Sequence, residues 1–147
     1  MLTSPSPALL ALARDTASRH ELDVSLVCAI VEQESQWNPW AIRYEPAFRM
    51  RYVTRLGLAP TEEIARSMSW GLMQVMGQVA REHGFTGDFL AQLCDPGQAL
   101  ETGCAVLKSK ITAAAGNLDD ALSFWNGGSN TAYSQEVMAR LPHYAGS

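Results

Sequence analysis

The chain has 147 residues, 47% of them hydrophobic and 18% charged, with a net charge of −4. At that length one domain burying roughly 70% of the unfolded surface is expected, and no stretch reaches the ~20 apolar residues of a membrane span. The acidic balance speaks against a nucleic-acid surface, which needs clustered Lys and Arg; Arg43, Arg49, Arg51 and Arg55 form the densest basic group and read as a solvated face.

The N-terminal MLTSPSPALLALARD imitates a secretory leader, because Ala11-Leu12-Ala13 resembles a small-residue cleavage site. No Lys or Arg precedes it, and the apolar run over 8–13 is shorter than the usual core of about 7 to 15 residues, so no signal peptide is expected. Ser6 and Pro7 instead predict an N-cap and a first helical residue, opening a helix over 7–20. A second helix spans 23–36 and stops before Asn38-Pro39. Further helices are predicted over 45–56, 60–68, 76–84, 86–93, 96–115, 118–125 and 131–141. Thr61-Glu62-Glu63 places acid in a first turn, and Asp95-Pro96 and Asn117 or Asp119 supply caps. The stretch 57–60, Gly116 and Gly127-Gly128 supply breaks. None of these is long or polar enough for an interdomain linker, and no apolar alternation of strand length is visible. The expected fold is all-α, one compact helical domain over 1–147, working as a monomer.

Cys28, Cys94 and Cys104 are odd in number and form no disulfide framework. Cys104 shares a helical stripe with Leu100, Leu107 and Ile111, where a small buried hydrophobe is expected. His20, His83 and His143 stand far apart and no Cys-x-x-Cys occurs, so neither a metal site nor a cofactor is expected.

The stretch AIVEQESQWNP, residues 29–39, holds two glutamates in an apolar helix. At about 100° per residue, Val27, Ile30, Val31 and Glu34 share one stripe. Glu34 therefore points toward the core, whereas Glu32 lies roughly 160° away and is expected in water. Desolvation disfavours the charged form of a buried carboxyl and raises its pKa, the property of a general acid near neutral pH. A buried glutamate held by an arginine or a helix N-terminus for structure alone fits the same pattern. Two further stretches, SWGLMQVM at 69–76 and LSFWNGGSNTAY at 122–133, gather amides, hydroxyls and aromatic faces. Such groups suit a groove for a neutral, ring-shaped, hydroxyl-rich ligand.

In this order the three stretches resemble the lytic transglycosylase family with the goose-type lysozyme-like fold. Glu34-Ser35 with Asn38-Pro39 matches its first motif, Gly71 to Gln74 its Gly-Leu-Met-Gln, Trp125 to Gly128 its aromatic-Asn motif, and Tyr133 to Val137 its closing Tyr-x-x-x-Val. The resemblance covers residues 23–140. It implies a lysozyme-like domain whose partner is the peptidoglycan glycan strand, cleaved between N-acetylmuramic acid and N-acetylglucosamine with formation of 1,6-anhydro ends. Glu34 would be acid and then base, with no metal, no cofactor and no second carboxylate. Ser35 would lie near the bound sugar or make a local helix bond, Met73 and Gln74 would line the groove floor, and Asn126 would bond an acetamido or hydroxyl group. Tyr133 would place its hydroxyl near the carboxylate, and Gly71 would serve backbone clearance. Action in the periplasm or at the cell wall is implied; with no signal peptide expected, the export route is open between phage-type release, a secretion apparatus and a truncated chain.

The chain departs from the family pattern twice. Trp125 replaces a tyrosine, keeping a ring to stack on sugar and losing a hydroxyl. An insert over about 42–69 brings Glu45, Glu62 and Glu63, with Tyr44, Phe48 and Tyr52 at helical spacing as core or as a sugar-binding wall. Glu62 and Glu63 read as first-turn or solvated residues. Glu45 is the candidate second carboxylate; about 6.5 to 9.5 Å from Glu34, it would make the enzyme an inverting muramidase. A non-catalytic wall-binding or assembly module is the third alternative.

Overall fold

The computed structural model describes residues 4–146; the first three residues of the leader-like stretch and the last of the expected domain lie outside the described residues. Ser6 accepts from the Leu9 amide and Pro7 opens helix α1, Pro7–Arg19. Asp23 caps α2, Val24–Ser35, by accepting from the Leu26 amide at 2.8 Å. Two successive non-glycine residues in the left-handed region, Gln36 at φ 51° and Trp37 at φ 64°, then stop α2 abruptly. Such backbone costs on the order of 1–3 kcal/mol per residue and is kept where the surroundings over-determine it; here it follows directly on Glu34-Ser35.

From Val27 to Val31 every side chain of α2 has 0% exposure. The helix packs against α1 on one side and against α8, Tyr133–Arg140, with the 3-10 turn Leu141–Tyr144 on another. Helix α6, Pro96–Ala113, runs along α1 and packs against α7, Leu118–Asn126. Asp95 caps α6, Asn117 caps α7, and Gly127 at φ 76° ends it, all as expected. Cys104 is fully buried and burial pushes its thiol up to about 12. No helix among the described residues is long and apolar enough to cross a membrane.

The fold is mainly α, with a small sheet that the helical expectation lacked. β1 (Ile42–Tyr44), β2 (Met68–Trp70) and β3 (Val75–Met76) form an antiparallel sheet in that order, pairing Ile42 with Trp70, Tyr44 with Met68, and Trp70 with Val75. Strands of two or three residues are too short to show a period of two. The stretch expected as an insert forms an arm between β1 and β2. Its expected helix over 45–56 is helical in three geometries: α3 (Pro46–Phe48), a π-helical turn (Arg49–Val53) and a 3-10 turn (Thr54–Leu56) stopped by Gly57. α4 (Pro60–Arg66) returns to β2, and α5 (Gly77–Glu82) follows β3. The helix expected over 86–93 is instead a bend leading into the 3-10 turn Leu90–Cys94, where Gln92 accepts from the Phe89 amide.

Gly103 marks a close contact between α6 and the β2–β3 turn, because a Cβ there would collide with the Met73 side chain. Overpacking of this kind costs roughly 1–3 kcal/mol. Gly103→Ala is therefore expected to lower the urea midpoint by a matching amount with the slope unchanged.

Candidate active site

Glu34 sits on the last turn of α2, and two helices from the far end of the chain reach it. The Tyr133 hydroxyl, at the first residue of α8, donates to Glu34 Oε2 at 3.1 Å. The Trp125 indole N–H, from the end of α7, donates to the same oxygen at 3.4 Å. Oε1 carries no protein hydrogen bond among the described residues. With both donors on Oε2, a proton on the carboxyl belongs on Oε1.

Burial pushes the Glu34 carboxyl up. The Tyr133 and Trp125 donors and the positive charge of Arg43 pull the other way without cancelling it. Burial, together with the Glu34 charge, pushes the Tyr133 phenol up as well, so it stays a donor throughout the physiological range. Glu34 keeps partial contact with solvent while protein atoms crowd around it. Tyr133→Phe removes one charge-assisted bond to the carboxylate, worth about 1.5–3 kcal/mol. A roughly 10- to 100-fold fall in kcat is expected, with the alkaline limb of the rate profile moved upward, measured on soluble glycan fragments.

Ser35 Oγ lies 2.8 Å from the Leu72 carbonyl oxygen and 3.1 Å from that of Val31, so it ties the end of α2 to the β2–β3 turn. In that turn Gly71 has φ 69°, and a Cβ would collide with the Leu93 carbonyl, which fits the expected backbone clearance. The Gly71 amide donates to the Ala41 carbonyl at 2.8 Å. Gln74, at φ 51°, turns its amide inward: Nε2 donates to Ala41 O at 2.9 Å and Gly71 O at 3.0 Å, and Oε1 accepts from Ser69 at 2.7 Å. Met73 has 0% exposure. The expectation that Met73 lines the groove floor is corrected accordingly, since Met73 lies beneath the surface; Gln74 is half-buried and clamps the root of β1 to the turn. Asn126 is half-buried and donates to the Asn130 carbonyl at 3.1 Å, closing the loop that leads to Tyr133.

Compared with known protein families, the chain matches the transglycosylase SLT domain over residues 11–140. The chain belongs to the transglycosylase SLT family. The match takes in Glu34, the Gly71 to Gln74 turn, Trp125, Asn126 and Tyr133, and ends on the last residue of α8. No curated protein and no solved structure matches the chain. The SLT domain is a mainly helical, lysozyme-like fold, and the family is that of the peptidoglycan lytic transglycosylases.

In this SLT domain the acids between β1 and β2 each pair with arginine. Glu45 accepts from Arg43 Nε at 2.9 Å. Glu62 lies between Arg66 at 2.9 Å and Arg81 at 2.8 Å, and Glu63 pairs with Arg49. Glu62 and Glu63 stand in the first turn of α4, as one of the two expected roles had it, and ion pairs replace the solvated role: Glu63 ties the π-helical turn to α4, and Glu62 ties α4 to α5. Among the described residues, Arg43 is the charged group whose field bears on Glu34.

The expectation that Glu32 faces water is wrong. Its side chain is 10% exposed and enclosed by α8 and the 3-10 turn after it. Arg140 Nη1 donates to Oε2, while Tyr144 OH at 2.9 Å and His143 Nδ1 at 3.1 Å meet Oε1. Trp37 Nε1 donates in turn to the Tyr144 hydroxyl at 2.9 Å. Arg140 also donates to Gln33 at 2.7 Å, and Gln33 to Glu136 at 2.6 Å, so α2 and α8 are riveted together along the two helices that carry Glu34 and Tyr133. Burial alone would push the Glu32 carboxyl up; the Arg140, His143 and Tyr144 contacts outweigh it and hold the carboxyl below its usual range. Two acids two residues apart are thus driven in opposite directions, one to keep its proton and one to lose it.

Proposed function

We propose that the chain, as one catalytic domain over 1–147, cleaves the β-1,4 bond between N-acetylmuramic acid and N-acetylglucosamine and leaves 1,6-anhydro ends. Glu34 Oε1 gives its proton to the glycosidic oxygen as the C1–O4 bond breaks, and the substrate's own acetamido group supports the positive charge at C1. The carboxylate so formed, with Tyr133 and Trp125 donating to Oε2, takes the proton of the muramyl 6-hydroxyl while O6 bonds to C1. Glu34 ends protonated again and no water is consumed. Ser35 and Gln74 hold the elements that carry the carboxyl and the groove wall, and Met73 supports them from below. Trp125 combines the indole bond to Glu34 with a ring face for sugar, and Asn126 bonds an acetamido or hydroxyl group.

One observation carries this reading: Glu34 is raised by burial, is held on a single oxygen by two neutral donors, and has a cation, Arg43, as the charge that bears on it among the described residues. That is the equipment for one acid–base residue rather than for a carboxylate pair. Mass spectrometry of digested cell walls tests it. Anhydromuropeptides, one water lighter than reducing-end products, are expected. Reducing ends alone would reject the lyase in favour of a muramidase, and an unaltered wall would favour a binding module.

A further inference from the structure

Residues 40–56 carry six of the ten large apolar side chains that stand exposed among the described residues: Trp40, Ile42, Tyr44, Met50, Tyr52 and Leu56. The same stretch holds four arginines against one glutamate, in a chain whose net charge is −4. Arg49 is consumed within the arm by Glu63 and the Tyr44 hydroxyl. Arg43 pairs with Glu45 but keeps 74% of its side chain exposed. Arg51 lies 5.1 Å over the Tyr52 ring; it and Arg55 are exposed and have no carboxylate partner among the described residues. Aromatic rings beside available guanidinium groups make a recognition surface, where a merely solvated face would pair its charges and hide its rings.

The position of the arm says what it recognises. β1 starts a short loop after Glu34, β1 is an edge strand of the sheet, and the charge of Arg43 is felt at Glu34, so the root of the arm lies near the carboxyl. A glycan strand cut at Glu34 extends beyond the groove. Peptidoglycan differs from a plain glycan by its stem peptides, which carry free carboxylates. We propose that the arm is a second peptidoglycan-binding surface, in which Arg43, Arg51 and Arg55 take stem-peptide carboxylates while Trp40 and Tyr52 cover apolar faces of the adjoining sugars. The inference rests on the assignment of peptidoglycan as substrate. Guanidinium groups suit it because they meet carboxylates with two parallel donors, and exposed pairs of this kind weaken as salt rises.

Cosedimentation of the Glu34→Gln chain with intact sacculi, and with sacculi stripped of peptides by an amidase, tests the proposal without cleavage. Adding Arg51→Ala and Arg55→Ala is expected to weaken binding to intact sacculi roughly fivefold at low salt and to leave binding to stripped sacculi unchanged. Lysine at both positions should restore only part of the loss, because an ammonium meets a carboxylate as a point charge without the paired donors. Both side chains are exposed, so the variants keep the parent's unfolding temperature. Equal binding by parent and double variant would overturn the proposal, as would an equal loss on both materials. Arginine-dependent binding to vesicles of anionic lipid, with none to sacculi, would also overturn it and assign the surface to a membrane. A wild-type chain that neither cuts nor binds sacculi contradicts the proposed function itself. Normal cutting with arm-independent binding contradicts this inference alone.

Discussion

Glu34→Gln is expected to lower the rate of peptidoglycan solubilisation by at least about 10³-fold, because the one group that both gives and takes the proton is gone and each such role is worth roughly 10²–10⁴. The fold should persist: the amide oxygen of Gln still accepts from Tyr133 and Trp125. Stability should in fact rise at neutral pH. The folded-state pKa of Glu34 lies above its unfolded value. Its contribution is therefore most favourable at acid pH, declines as pH climbs from the unfolded value of about 4.3, and is fully lost above the folded value. The variant escapes that loss, by about 1.4 kcal/mol for each unit separating the two pKa values. Turbidity of cell-wall suspensions checks the first part, and thermal unfolding at acid and neutral pH the second. In the wild type, kcat/KM should fall as pH rises through the Glu34 carboxyl of the free enzyme, since the first step needs the acid form.

Glu32→Ala is expected to destabilise the protein by about 3–5 kcal/mol, the range for removing one partner of a buried ion pair. Arg140 would lose its carboxylate, and the Tyr144 hydroxyl and His143 would lose their shared acceptor. The pH dependence runs opposite to that of Glu34. Glu32 is depressed in the folded state, so its contribution is present above the unfolded value and is lost as pH falls through the folded one. Acid unfolding of the wild type should therefore show a component in that window that the variant lacks. Arg140→Ala combined with Glu32→Ala should cost less than the two separate losses added, because they break one network. Denaturant titration of the four proteins measures this.

The difference between these two acids shows how far helical phase carries. Glu34 was legible because Val27, Ile30 and Val31 mark its stripe. Glu32 was not, because α2 is buried almost all round from Leu26 to Glu32, and phase predicts a wet face only when one side of the helix meets solvent. The partners that make its burial tolerable lie 108 to 112 residues further on, at Arg140, His143 and Tyr144, with no local pattern to announce them. The Gly71 to Gln74 motif was visible as a motif, but its role was hidden by backbone. Left-handed φ at Gly71 and Gln74 turns the Gln74 amide toward Ala41, which only the sheet brings near. The helix starts at Ser6, Asp95 and Asn117 were readable because capping is local chemistry; β1 to β3 were not, because a pairing of two or three residues is decided by what lies across the strand. Tyr133 was placed beside Glu34 by family resemblance and stands there; the indole bond from Trp125 was missed, because Trp125 was read only as a ring to stack on sugar.

The Glu34 carboxyl can be followed directly by NMR of the chain with carboxyl-labelled glutamate, the Glu34→Gln spectrum identifying its signal. A resonance missing from that variant and titrating above the ordinary glutamate value of about 4.3 is predicted. A Glu34 carboxyl that ionises at or below that value would leave no proton to deliver near neutral pH, and would contradict the account.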